Sequence, residues 1–396
     1  MGEKWRALQE DSCKNHHDRT NGAKDSAPSM SEPTSGPSLK VAIIGTGAIF
    51  KNHLEAYRAL EHVEVVAVCD VNEELAVRTA QEHNIARAFG STAALFEAAK
   101  DPADLGRLDI VSVCTPHPTH EAVVVEAAQA GVHVLCEKPL AITLESSQRI
   151  VDACRQHGVQ LGVLFQRRFW PAAQRIKTLI DDGTIGQPIL GHASVMLHRE
   201  ASYYAATPWR GSWATDGGGV LMTQAIHYID LLQWFMGEVV EVHGHTNTFV
   251  HQEHMETEDS AVATLKFASG AMATLQASTA VTPGLGVQIR VTGTTGASVQ
   301  LTEFPEGTEG RIDLLGTGAT IENAPTWPAE ANPNTALSEI NAALVPYHKL
   351  QVADFVNAVG AGTEPAVTGE EATKALRTLL AVYESSETGK PVKLCS

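Results

Sequence analysis

The chain has 396 residues, which suggests two or three domains. Its net charge is −17 at pH 7 with the histidines neutral, which argues against general nucleic-acid binding because that requires phosphate-neutralising cations. Hydrophobic residues make up 43%, yet no apolar run approaches the roughly 18 residues a membrane helix needs, so no membrane partner is expected.

Residues 1–38 read as a disordered tail. They are rich in Ser, Pro, Gly and charge and show no apolar periodicity. The pattern changes at Lys40. Val41 to Ile44 is a short apolar run ending at Gly45, which fits a buried strand. A helix over about 50–60 and a strand over 63–69 follow. Asn72 is a natural cap for a helix reaching His83. Strands at 109–114 and 132–136 alternate with helices at 120–129 and 144–157. This spacing predicts a doubly wound parallel sheet of the Rossmann type over 39–160.

The second half, 161–396, reads as an α+β domain. Helices are expected at 172–181 and 221–236, the latter ending before Gly237. Strands at 261–267 and 271–277 flank Ser269-Gly270 as a hairpin, and 288–292 with 297–301 form another pair. Two helices, 347–359 and 369–385, close the chain. An open, mostly antiparallel sheet with helices on one face fits this order. The six cysteines (Cys13, Cys69, Cys114, Cys136, Cys154 and Cys395) form no C-x-x-C pair, and no apolar signal segment opens the chain. A reducing, cytoplasmic setting is expected.

Gly45-Thr46-Gly47-Ala48-Ile49-Phe50 follows the first strand and opens the first helix. Gly45 allows the tight turn, and Gly47 lets the backbone approach a pyrophosphate seated on the helix N-terminus. Phe50 stands where a third Gly or Ala is usual. Asp70 ends the second strand, where an acid can hold a ribose diol and would repel a 2′-phosphate. NAD is therefore expected in preference to NADP.

Thr115-Pro116-His117 with His120, and Glu137-Lys138-Pro139, lie at the carboxyl ends of parallel strands, the edge where open α/β sheets bind ligands. Farther on, Gly217-Gly218-Gly219 precedes a helix on which Thr223, His227 and Asp230 share one face by spacing.

These motifs together resemble the Gfo/Idh/MocA oxidoreductases over roughly residues 39–394. Tyr203-Tyr204 and Trp209-Arg210-Gly211-Ser212-Trp213 resemble members that act on sugars, of the UDP-N-acetylaminoglucuronate type. The resemblance implies a nicotinamide cofactor, a substrate that is a sugar, sugar nucleotide or polyol, and a homodimer or homotetramer built through the second domain's sheet. It assigns catalysis to Lys138 and His227. The cofactor contacts expected are Gly45, Thr46, Gly47, Ala48, Ile49, Asp70, Thr115, Pro116, His117, His120, Glu137, Lys138, Gln166, Trp209, Arg210 and Tyr347. The substrate contacts expected are Lys138, Arg168, Arg199, Tyr204, Thr223 and His227. Inositol dehydrogenase-like members carry Asp where this chain has Thr223, which leaves the partner of His227 open.

His243, His245, His251, Glu253, His254, Glu256, Glu258 and Asp259 crowd one segment, but their spacing matches no closed zinc signature. They are read as a solvated polar strand and loop, and no metal is expected. The main reading is a hydride transfer between a secondary alcohol and NAD. The alternatives are a ketosugar reductase, a redox-neutral NAD-dependent glycoside hydrolase and a non-catalytic NAD-binding regulator.

Overall fold

The computed structural model describes residues 38–205, 209–317, 320–323 and 334–394. The tail expected at 1–37, Cys13 and Cys395 lie outside them. The first unit runs β1 (Leu39–Ile44), α1 (Phe50–Arg58), β2 (Val63–Cys69), α2 (Glu73–Glu82), β3 (Arg87–Phe89), α3 (Thr92–Ala98), β4 (Ile110–Val113), α4 (His120–Gln129), β5 (His133–Cys136), α5 (Leu144–His157) and β6 (Leu161–Val163). Its strands form one parallel sheet in the order β3-β2-β1-β4-β5-β6. That is the doubly wound order, with its crossover point between β1 and β4.

The local causes are the expected ones. Asn72 caps α2 by accepting from the Leu75 amide at 3.0 Å. Thr143 caps α5, which ends at Gly158 with φ +67°. β1 is buried on both faces, as a central parallel strand must be.

The second unit holds α6 (Pro171–Asp181), β7 (Pro188–Met196), α7 (Ala201–Ala205), α8 (Ile226–Met236), β8 (Val239–Asn247), β9 (Ser260–Phe267), β10 (Met272–Ser278), β11 (Gly286–Gly293), β12 (Ser298–Glu303), β13 (Arg311–Thr317), β14 (Thr320–Asn323), α9 (Leu337–Ala361), α10 (Gly369–Thr388) and β15 (Val392–Lys393). A nine-stranded sheet orders them β14-β13-β12-β11-β7-β10-β9-β8-β15. Only β7 and β10 pair in parallel. α8 and α10 pack on this sheet at β7 and β8.

Three differences from the sequence reading matter. β6 joins the first sheet, so that sheet runs past residue 160 to Val163. α9 starts ten residues before Tyr347 and runs through Pro346, with Ile340, Leu344, Tyr347, His348 and Gln351 buried along it. Its Val352, Phe355 and Val356 pack with Val41, Ile43, Phe50 and Leu54, so the C-terminal segment supplies a helix to the first unit's core. This also accounts for Phe50: at 2% exposed it fills that cluster, where a glycine would leave a hole. Lastly, the helix expected over 221–236 opens as a π turn, Leu221–Ala225, before α8 begins.

Candidate active site

The glycine turn is shaped by the backbone opposite. Gly45 has φ +95°, and a Cβ there would stand 2.7 Å from the Cys114 main chain. A Cβ on Gly47 would enter open space. α1 has no side-chain cap at Ile49, and its Phe50 and Asn52 amides bond back to the Gly47 and Ile49 carbonyls at 3.2 and 3.0 Å, so a ligand's oxygens would meet the turn ahead of them. Asp70 locks this turn. Its Oδ2 accepts from the Thr46 amide at 2.9 Å and the Thr46 hydroxyl at 2.8 Å, and its Oδ1 accepts from the Asn72 amide at 2.9 Å. A cradle of this shape would fit a dinucleotide pyrophosphate at Gly45 to Ile49.

Lys138 stands at the carboxyl end of β5. Its Nζ donates to the Thr223 carbonyl at 2.9 Å, inside the π turn and one helical turn before His227. Such π turns recur at functional sites because they re-aim backbone groups. Burial brings the Lys138 amine down to about 8, against the opposing pull of the Glu137 carboxylate and with help from Arg167. Burial, then the charges of Arg167 and Lys138, push His227 well below its ordinary range, so its imidazole is neutral at working pH. Its Nδ1 is buried without a hydrogen-bond partner. Gln166 Oε1 is in the same condition.

Other expected contacts gather along this edge. His117 meets Trp209 edge-on, with centroids 5.3 Å apart, and its Nδ1 lies 3.3 Å from Asp216. Arg210 lies over the Tyr203 ring at 4.0 Å and over Trp209 at 5.2 Å. The Thr119 hydroxyl ties down Thr115 and Pro116, donating to the Pro116 carbonyl at 2.7 Å and lying 2.8 Å from the Thr115 hydroxyl.

Several expected contacts stand elsewhere. His120 is fully buried, with its ring nitrogens facing the Pro139 and Thr115 carbonyls at 3.0 and 2.9 Å, and burial lowers it to about 4. It joins the two loops from behind. Tyr347 donates to Glu309 and stacks edge-on against Trp170. Arg168 makes bidentate hydrogen bonds to Asp230 at 2.8 and 2.6 Å and a third to Glu371 at 3.2 Å. Asp230 on α8 is thus committed to Arg168, and His227 Nδ1 has no hydrogen bond to it. Arg199 is likewise bidentate to Glu306 at 2.6 and 2.5 Å. Tyr204 is buried and shares a hydrogen bond with Thr279 at 2.8 Å. The Thr223 hydroxyl turns back to the Gly219 carbonyl at 2.7 Å, and its carbonyl is the group that meets Lys138.

The segment read as a solvated loop is partly core. His251, Glu258 and Asp259 are buried. Asp259 accepts from the amides of Phe249, Val250 and His251. Glu258 accepts from the Gly219 and Leu221 amides at 2.8 and 2.9 Å and so holds the π turn in place. Burial lifts it to about 7 despite those bonds.

Sequence reasoning missed Arg167. It is buried over the rings of Trp170 and Tyr228 and lies 3.5 Å from Glu303. Sequence reasoning also missed His53 and His348, which flank Glu137 and are separated from it by 84 and 211 residues in the chain, beyond the reach of any local pattern.

The Gly45 turn on a doubly wound sheet, with Lys138 at the carboxyl end of β5, fits an NAD-binding oxidoreductase. Residues 39–165 match the oxidoreductase family with an NAD-binding Rossmann fold, and 173–299 match the GFO/IDH/MocA C-terminal domain. The chain belongs to the Gfo/Idh/MocA family. It is 30% identical over 283 residues to inositol 2-dehydrogenase 2 of Saccharopolyspora erythraea, covering 69% of this chain and 78% of that one. It is 28% identical over 362 residues to D-apiose dehydrogenase of Paraburkholderia graminis, covering 90% of each. Among solved structures, it resembles the WlbA dehydrogenase from Bordetella pertussis in complex with NADH and UDP-GlcNAcA, with a TM-score of 0.77 and 29% identity over 91% of this chain and 99% of that one. Among the described residues, no helix is long and apolar enough to cross a membrane.

Proposed function

We propose that this protein oxidises a secondary alcohol of a sugar, sugar nucleotide or polyol, with Lys138 as the base. The observation that carries the reading is the Lys138 Nζ anchored on the Thr223 carbonyl beside the unpartnered His227 Nδ1. The relatives named above support the substrate class.

NAD, when bound, supplies the hydride acceptor. Lys138 in its neutral form takes the hydroxyl proton, and its lowered basicity makes that form available near neutral pH. The neutral His227 orients the same oxygen by a hydrogen bond. Gln166, with a buried acceptor unused, would accept a hydrogen bond from the cofactor. The uncovered face of the nine-stranded sheet exposes Leu190, Val262 and Met272, and we assign it to pairing of copies. Light scattering reads the resulting dimer or tetramer.

The test is NAD reduction, followed by absorbance, with a panel of free sugars, inositols and nucleotide sugars. One substrate class should reduce NAD. K138A should lose turnover by on the order of 10³-fold while NAD binding stays within a few fold. Full activity in K138A overturns the role.

A further inference from the structure

Gly218 and Gly219, ahead of the helix that carries His227, press against protein rather than open space. A Cβ on Gly219 would overlap the Glu258 carbonyl oxygen, and one on Gly218 would overlap the Tyr383 hydroxyl. Glu258 is 2% exposed and stands two residues before β9. Its Oε2 accepts from the Gly219 amide at 2.8 Å, its Oε1 from the Leu221 amide at 2.9 Å, and its main-chain carbonyl from the Val220 amide at 3.1 Å. Three consecutive amides at the entry to the π turn thus end on one residue. Tyr383 on α10 donates to the same Oε1 at 2.9 Å. Each of these side-chain partners is a donor, so the carboxylate is the form that satisfies them all. A negative charge also suits the N-terminal end of a helix.

The bonds continue to the reacting amine. The Gly219 carbonyl accepts from the Thr223 amide at 3.0 Å and from the Thr223 hydroxyl at 2.7 Å. The Thr223 carbonyl in turn accepts from Lys138 Nζ at 2.9 Å. Glu258 therefore reaches Lys138 through two residues, Gly219 and Thr223, with no gap in the hydrogen bonding.

We propose that Glu258 is a positioning residue for Lys138: by holding the Gly219 to Leu221 amides from outside the helix, it fixes the π turn whose Thr223 carbonyl receives the amine. π turns are rare, and this carboxylate gives the turn a fixed end. A carbonyl facing an amine favours its ammonium form, so the contact that aims Lys138 also sets how tightly it holds its proton. The charged or titratable groups facing this amine are Glu137, Arg167, Asp216, Arg210 and His227. Those facing Glu258 are Tyr383 and, beyond it, Asp216.

This inference rests on Lys138 as the base, and the experiment keeps the two apart. Rates of NAD reduction, with the panel alcohol that reduces NAD, are measured from about pH 6 to about pH 10 for the wild-type chain, K138A and E258Q. An active K138A means that the base assignment fails, and the inference falls with it. In E258Q the carboxamide keeps the shape but sets an N–H against a donor of the turn or of Tyr383. With K138A inactive, E258Q should lower the plateau of kcat/KM about tenfold and move its acid limb down by about one pH unit, because the Thr223 carbonyl no longer favours the ammonium form. NAD binding should stay within a few fold, since the Gly45 turn is untouched. A merely structural role would reduce the folded fraction and lower the plateau with the limb in place. A limb unmoved in E258Q therefore overturns the proposal. If E258Q does not fold, E258D decides: it keeps the charge but falls one methylene short of the turn, and the limb should again move down. A limb unmoved in folded E258D overturns the proposal.

Discussion

Two polar regions flank α8, and they are built on opposite principles. On one side Arg168 meets Asp230 in bidentate geometry and reaches Glu371 as well. On the other side His227 Nδ1, Gln166 Oε1 and Arg210 Nε are buried without partners, and Lys138 rests on a carbonyl rather than a carboxylate. A bare buried polar group costs about 1–3 kcal/mol. The chain thus spends charge pairs on architecture and leaves donors and acceptors open where a ligand can complete them. Identical residue types serve both ends, and their partners decide which.

That contrast can be broken by substitution. K138A, on the open side, should remove turnover by on the order of 10³-fold and leave the unfolding midpoint almost unmoved. D230A, on the paired side, should do the reverse. It strands the Arg168 guanidinium, 6% exposed, in the core. The loss should be about 3–5 kcal/mol in urea unfolding, with kcat of the folded fraction within a few fold of wild type. A D230A enzyme that is stable but inactive would join the two regions into one.

The pH profile sharpens the same division. Lys138, brought down to about 8, serves as a base only when neutral. Alcohol oxidation should therefore rise about tenfold per pH unit up to about 8 and then level. The reverse reduction needs the protonated amine and should fall above about 8. His227, held neutral, adds no limb of its own between about 5 and 8. A limb near the ordinary histidine range of about 6.5 would transfer the base role to His227.

Most of the first unit was legible because its strands and helices are local and strongly patterned. β2, α4 and α5 fall on the residues that apolar runs and caps mark out. Lys138 at the end of β5 and His227 on α8 were picked out by the motifs Glu137-Lys138-Pro139 and Gly217-Gly218-Gly219. What escaped depended on distance in the chain. β3 and β6 have three residues each, too few for a period to show. α9 was cut short at Pro346, although a buried stripe carries the helix through it. The buried setting of Glu258 and the carboxylate partners of Arg168 and Arg199 were not legible, because a charged side chain looks the same in sequence whether it faces solvent, substrate or a buried counter-ion.

Asp70 is the residue on which the two principles meet, and its substitution is the smallest effect expected. Its Oδ2 already takes two bonds from Thr46, as an architectural carboxylate would, while Oδ1 has one partner, Asn72, and acceptor capacity left for a ribose hydroxyl. D70S retains a short oxygen for the turn and removes the charge. Loss of repulsion toward a 2′-phosphate, about 1–2 kcal/mol near a protein surface, should lower the NAD/NADP ratio of kcat/KM by roughly tenfold. Stability should fall by about 1 kcal/mol, since one Ser oxygen stands in for a carboxylate that accepts three bonds. A ratio that does not move, together with the stability loss, would make Asp70 a turn lock alone. It would then leave cofactor choice to the open amides of Gly47 to Ile49, which read a pyrophosphate without distinguishing the two dinucleotides.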